Sequence, residues 1–323
     1  MNDRCVKQKF AAEITDGEKV DDLFLLKIFE VKQKKDGSPY VRAEIGDVTG
    51  TLSCFLWGVQ GCADQVTETA SSLQVGAVYR VRGNAKTYNG SMQVSVNEGI
   101  ADFAEPVPST PLDPEDYLTS PVKGLDLKGG IFRMANEISD PELRHLVLEA
   151  ISSVDGFFIK PAAKGRHHEY RGGLAEHTLE TARIALAACD ATRVGIDADR
   201  DLVIAGALLH DIGKAFCFEE QGLGFAARPE YDLIGHVTLG VSYIAPFAKR
   251  LPPEKAAHLL HILQSHHGPH GEVPCQTPEA WMVHLADLTS ATLREAADDQ
   301  ADLAPGTGKR NGWRAGGPVW RFE

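Results

Sequence analysis

Seven side chains able to hold a metal ion, His177, His210, Asp211, His236, His266, His267 and Asp287, are strung in that order along the second half of a 323-residue chain. Any fold that gives them a common task must bring five separated segments to one point. Imidazole nitrogens and carboxylate oxygens are the donors of hydrolytic Mn, Fe, Zn or Mg centres, and seven exceed what one ion takes from protein side chains. Two ions are the better reading. A carboxylate can bridge two metals and an imidazole cannot, which makes Asp211, with histidines on both sides of it in sequence, the natural bridge.

The flanking residues put these donors on helices. His177 lies in LAEHTLETARIALAACD after the Gly172–Gly173 break, and its apolar neighbours recur at helical spacing. His210 and Asp211 close the apolar run LVIAGALLHDIGK, which reads as a buried helix ending near Gly213. Adjacent ligands there stand about 100° apart and approach from one wall. His266 and His267 end EKAAHLLHILQSHHG, and Asp287 falls in a helix begun by Thr277–Pro278. A single histidine in an apolar helix is usually a hydrogen-bonded core residue, and His258, His261, His270 and His284 keep that reading. Asp298 and Asp299 read as a solvated helix end.

The pattern H…HD…H…HH…D resembles the HD-domain metal-dependent phosphohydrolases. The words PAAKGRHHEYRGGLAEHT, ALLHDIGK, YDLIGHVTLG, ILQSHHG and TPEAWMVHLADLTSA resemble the YhaM-type 3'-5' exoribonucleases within them. The segment GPHGEVPCQTPEA departs from the family's Gly-Ser-Pro wording and removes no ligand. The resemblance implies an α+β multidomain chain, an N-terminal OB-fold β-barrel followed by an all-α HD domain. It implies two divalent ions, manganese first, with iron, magnesium, cobalt, nickel or zinc as alternatives. It further implies single-stranded RNA as the substrate, with single-stranded DNA as a second candidate, and leaves self-association open. His177, His210 and Asp287 would join Asp211 around one ion and His236, His266 and His267 would hold the other. Lys214 would neutralise the transition-state phosphate. One histidine of GRHHEYRGG, His168 rather than His167, would bind phosphate or protonate the leaving oxygen. The rivals are an HD-domain nucleotidase or cyclic-nucleotide phosphodiesterase with a regulatory barrel, and a non-catalytic RNA-binding module.

At 35.0 kDa the chain exceeds one usual core, so two domains are expected. No apolar stretch reaches membrane-spanning length and MNDRCVKQKF is not signal-like, which points to the cytoplasm. Six cysteines without a Cys-x-x-Cys pair exclude a zinc ribbon and argue against a disulfide framework. The net charge of −12 argues against a purely electrostatic nucleic-acid binder. Residues 105–300 carry most of that deficit, with 17 Lys and Arg against 29 Asp and Glu.

Residues 1–104 read as the barrel. Alternating runs are joined by turns at Lys35–Ser38, Asp47–Gly50 and Asn89–Gly90, giving about five strands. Tyr40, Phe55, Trp57 and Tyr88 are candidate base-stacking residues, and Arg42, Arg80, Arg82 and Lys86 candidate phosphate contacts. Alternation nonetheless favours the barrel core for Phe55 or Trp57. Residues 105–124, with prolines at 106, 108, 111, 114 and 121, read as a semi-rigid linker. Residues 125–300 form the HD domain. Residues 301–323, rich in Gly and Pro, read as a flexible tail whose Trp313 and Trp320 dock on a core or touch substrate.

Overall fold

The computed structural model describes residues 6–58, 63–88, 91–110, 112–118, 120–164, 166–192, 194–301, 303–310, 312 and 316–323. The chain divides into two compact units, Met1–Pro121 with Glu220–Gly224, and Val122–Glu219 with Phe225–Glu323.

In the first unit, strands β1 (Lys19–Gln33), β2 (Pro39–Asp47), β3 (Gly50–Leu56), β4 (Val78–Tyr88) and β5 (Ser91–Val96) close a barrel in the order β1-β2-β3-β5-β4. The β3–β5 pair is parallel and the others are antiparallel, the OB-fold arrangement. Period-2 alternation turns Val41, Ala43, Ile45, Leu52, Cys54 and Leu56 inward, where they meet Phe24, Leu26, Val81, Val94 and Val96. Tyr88 pairs with Ser91, and the expected turn residues Asn89 and Gly90 lie outside the described residues. A helix that the polar sequence ADQVTETASS does not announce, α1 (Ala63–Ser72), follows β3. It contributes Val66, and just beyond it Leu73, to the barrel core.

The proline-rich stretch is not a spacer. Val107 N donates to Val78 O and Val48 N to Asp116 O, and Leu112 and Tyr117 are buried in a cluster with Leu23, Leu25 and Val78 on the barrel wall. Proline fixes the extended backbone, and the apolar residues between prolines pack it down.

The second unit is helical: α2 (Leu127–Ala135), α3 (Pro141–Ser153), α4 (Gly173–Ala191), α5 (Arg200–Leu209), α6 (Pro229–Leu233), α7 (His236–Ala248), α8 (Pro253–Ser265) and α9 (Pro278–Ala301). Asp126, Asp140 and Asp199 cap α2, α3 and α5, each accepting from backbone amides of the first turn. Helix α5 is the axis: every residue from Leu202 to Leu209 is buried, and α4, α8 and α9 pack around it. A helix apolar on all sides has nowhere to go but the centre of a bundle. It ends in His210 and Asp211, which open a 3-10 turn at Ile212–Phe216. A short hairpin, β6 (Phe218–Gln221) with β7 (Gly224–Ala227), comes next.

Two further expectations fail together. The tail expected to be flexible carries a second hairpin, β8 (Thr307–Lys309) with β9 (Val319–Arg321). Gln300 Nε2 donates to Trp320 O, and Arg321 donates to Leu303 O. Asp299, expected in solvent, is buried beneath it with Lys309 at 3.3 Å. Trp313 lies outside the described residues. Among the described residues no helix is long and apolar enough to cross a membrane, and Cys54, Cys189, Cys217 and Cys275 are buried free thiols.

The 3-10 turn meets α7 through glycine. A Cβ on Gly213 would overlap the His236 carbonyl and crowd Gly240 N. Both obstacles are backbone. Gly213→Ala should therefore cost about 1–3 kcal/mol through overpacking, read as a lower urea midpoint of metal-stripped protein. A midpoint equal to wild type would contradict this account of the crossing.

Candidate metal centre and nucleic-acid interface

Helix ends deliver the donors. His177 lies in the first turns of α4, His210 and Asp211 follow α5, His236 is the first residue of α7, His266 and His267 follow α8, and Asp287 projects from α9. The structure brings all seven together around Asp211. Its Oδ2 lies 3.3 Å from His177 Nε2 and 3.4 Å from His210 Nε2, and Asp287 Oδ1 lies 3.0 Å from the same His177 nitrogen. Its other oxygen, Oδ1, lies 3.3 Å from His236 Nε2 and 3.7 Å from His266 Nε2. The donors fall into two sets compact enough to hold an ion, His177 with His210, Asp211 and Asp287, and His236 with His266 and His267.

The donor set fits divalent metal. Asp211 Oδ1 and the Nε2 atoms of His236 and His266 are buried without a hydrogen-bond partner. Unpartnered buried polar atoms are costly, and lone pairs converging on one volume call for a cation. Nδ1 of His210 lies 2.8 Å from Ala207 O, and Nδ1 of His266 lies 2.8 Å from Leu263 O. Each carbonyl accepts Nδ1–H and leaves Nε2 as the donor atom. His284 supports the doublet from behind, its Nδ1 2.7 Å from His266 O.

Charge in the site is polarised. Burial drives His266 down to about 3 and His236 well below its ordinary value, so both stay neutral as a metal ligand must. Burial also opposes the His177 imidazolium, but hydrogen bonds to Asp211 and Asp287 outweigh it and hold that pKa up at about 9. Burial works to raise the Asp211 pKa, and the Lys214 charge beside it leads the effects that overcome this, keeping the carboxyl well below its usual range. Lys214 Nζ stands 2.6 Å from Asp211 Oδ2.

The two histidines before α4 are placed differently from expectation. His168 is fully buried with a left-handed backbone, φ 53°, and its Nε2 lies 3.1 Å from Glu180 Oε2. It is engaged from within and does not offer a free nitrogen to a phosphate. His167 is half-buried, with its ring 4.9 Å from that of His177. Burial lowers its pKa to about 2, so it is a neutral acceptor and not an acid. The missed signal was Gly173, where a Cβ would overlap the His168 carbonyl and where the chain therefore turns tightly against the helix start.

On the barrel, Tyr40, Phe55 and Trp57 are half-buried on the outside, not in the core. The neighbours that alternate with them, Val41, Cys54 and Leu56, took the inward positions. The three rings stack on one another, with Tyr40 4.7 Å from Trp57 and Phe55 5.5 Å from Trp57. Lys34 Nζ lies 5.8 Å above the Trp57 ring, and Tyr88 and Lys86 are exposed on β4. The arginines differ from expectation. Arg80 makes a two-pronged pair with Asp21 at 2.7 and 2.9 Å, and Arg82 pairs in the same way with Asp102. Arg42 reaches Glu30 at 3.3 Å. A carboxylate fork occupies part of the donor set of Arg80 and Arg82 and offsets their charge.

The HD domain family matches residues 174–292, and the OB-fold nucleic acid binding domain family matches residues 28–100. The chain is 27% identical over 286 residues to the 3'-5' exoribonuclease YhaM of Listeria welshimeri, covering 86% of each. It is 29% identical over 288 residues to that of Bacillus velezensis, again with 86% of each covered. It is also 33% identical over 180 residues to the dihydroneopterin 2',3'-cyclic phosphate phosphodiesterase of Methanocaldococcus jannaschii, spanning 52% of this chain and 70% of that one.

The split of donors across Asp211 sets an expectation for metal content. Asp211→Ala should lose both ions, since each set uses one of its oxygens, whereas His236→Ala should retain about one ion per chain. Elemental analysis after dialysis checks this, and an Asp211→Ala protein with wild-type metal content would overturn the shared-carboxylate reading.

Proposed function

This chain belongs to the HD-domain family of hydrolases, with curated YhaM exoribonucleases among its homologues, and from that premise we propose that it is a metal-dependent 3'-5' exoribonuclease. It would release nucleoside 5'-monophosphates from single-stranded RNA in the cytoplasm, with manganese as its working metal and single-stranded DNA as a secondary substrate. The observation that carries this reading is Asp211, whose two oxygens each face a different set of donors.

Bound to these residues, two divalent ions would activate water and offset the charge of a phosphodiester. The remaining roles belong to the chain. Asp211, His177, His210 and Asp287 form one cradle, and His236, His266 and His267 with the other oxygen of Asp211 form the second. The fixed Nδ1 contacts hold His210 and His266 with Nε2 lone pairs inward. Lys214 supplies a positive charge beside Asp211, where negative charge grows on the phosphate as water attacks and the bond to the 3' oxygen breaks. The role expected of His168, binding phosphate or protonating the leaving oxygen, does not pass to His167, whose burial leaves it no acidic proton to give. Tyr40, Trp57 and Tyr88, with Lys34 and Lys86, make a stacking surface with a basic rim on the barrel. Arg42, Arg80 and Arg82 serve barrel structure.

The 33% relative favours a second reading, in which a cyclic phosphate is the substrate. A 5'-labelled single-stranded RNA incubated with Mn²⁺ separates them: a ladder shortening from the 3' end with monophosphate release supports the exonuclease, and an intact RNA beside a hydrolysed cyclic phosphate supports the alternative. Asp211→Ala should slow RNA hydrolysis on the order of 10³-fold or more, as expected when a shared group is removed.

Trp57→Ala should weaken long-RNA binding by about 1–3 kcal/mol and leave hydrolysis of bis-p-nitrophenyl phosphate unchanged. Equal losses on both substrates would remove the barrel from substrate binding.

A further inference from the structure

The histidines around Asp211 differ in what holds their second nitrogen. For His210 and His266 it is a carbonyl of the helix that carries them, which no substitution removes. For His177 it is a side chain, Ser290 Oγ on α9, at 3.0 Å. Ser290 has one hydroxyl hydrogen, and Glu180 Oε2 receives it at 2.7 Å. The serine oxygen therefore meets His177 with a lone pair. By elimination Nδ1 of His177 carries a proton of its own, so the proton that Nε2 shares with Asp211 and Asp287 is the one a bound cation would displace to reach the Nε2 lone pair.

A second chain leaves the same carboxylate oxygen. His168 Nε2–H donates to Glu180 Oε2 at 3.1 Å, which leaves His168 Nδ1 bare to accept from His167 Nδ1 at 3.3 Å. Burial keeps both rings neutral. His168, Glu176 and Glu180 stand close enough together to hold a cation themselves. Their oxygens are already committed: Glu176 accepts from Tyr170 and faces Arg294 at 3.5 Å, and Glu180 accepts from Ser290 and His168. The cluster accepts hydrogen bonds from its neighbours.

We propose that Glu180 and Ser290 are positioning residues that set the tautomer of His177 and thereby the affinity of the metal position on the Asp287 side. The proposal rests on the metal centre argued above. Without an acceptor at position 180, the Ser290 hydroxyl is free to turn and donate to His177 Nδ1, which moves the ring proton to Nε2 and blocks that donor.

The test is Mn²⁺ binding by equilibrium dialysis of chelator-stripped full-length protein, with melting curves to establish folding. The side chain of Glu180 is 36% exposed, so its truncation spares the core. Glu180→Ala and Ser290→Ala should weaken one class of Mn²⁺ site about 10–100-fold and leave the other class unchanged. Glu180→Gln, whose amide oxygen can take both hydrogen bonds, and Ser290→Thr, which keeps the hydroxyl, should stay within about threefold of wild type, as expected if polarity and not packing matters. Wild-type affinity in Ser290→Ala overturns the relay and leaves the centre standing, and so does a loss in Ser290→Thr as large as in Ser290→Ala. A wild-type protein that takes up no Mn²⁺ overturns the centre and the relay with it.

Discussion

A charged carboxylate at the end of a helix with no polar face is the constraint on which the second unit depends. Asp211 follows α5, whose last eight residues are all buried, and its own side chain is 1% exposed. Such a group is tolerated only if charge and hydrogen bonds are gathered around it. The bundle does that gathering: α4, α7, α8 and α9 each bring a donor or a cation-holding partner to the same point, and the 3-10 turn after α5 folds Lys214 back onto it. The hydrophobic helix and the polar centre are two ends of one element.

Much of this was legible in the sequence because ligands placed at helix termini leave two marks, a periodic apolar run and a break beside it. LVIAGALLHDIGK and ILQSHHG have both. What escaped reading was decided by contacts distant in sequence. His167 and His168 are neighbours of one residue type, and only the carboxylate at position 180 and the close approach of Gly173 distinguish them. Arg80 and Arg82 looked like phosphate contacts because nothing local reveals that Asp21 and Asp102 stand beside them across the barrel wall. Phe55 and Trp57 are two apart and share a face, and the strand settled inward on its smaller members, Cys54 and Leu56. The tail hairpin was hidden for the opposite reason, since three-residue strands are too short for alternation to register.

The pairing of the barrel arginines bears on the acidity of the chain as a whole. With a net charge of −12 and three barrel arginines paired with carboxylates, the protein has little long-range attraction for a polyanion. Affinity must come from short-range contact. In the proposed reading, aromatic stacking, the Lys34 and Lys86 rim and the charge of a metal-loaded centre would supply it, each at short range.

The ring stack on the barrel gives that contact a particular character. Tyr40, Phe55 and Trp57 already cover one another, so they present no notch into which a chosen base could lock. A base can only extend the pile at its open end, and every base has a flat surface suited to that. If a strand docks there as proposed, such a surface would hold one nucleotide as well as the next. Tolerance of any base at the open end is what a pre-filled column of rings would permit and a sequence-reading pocket would obstruct.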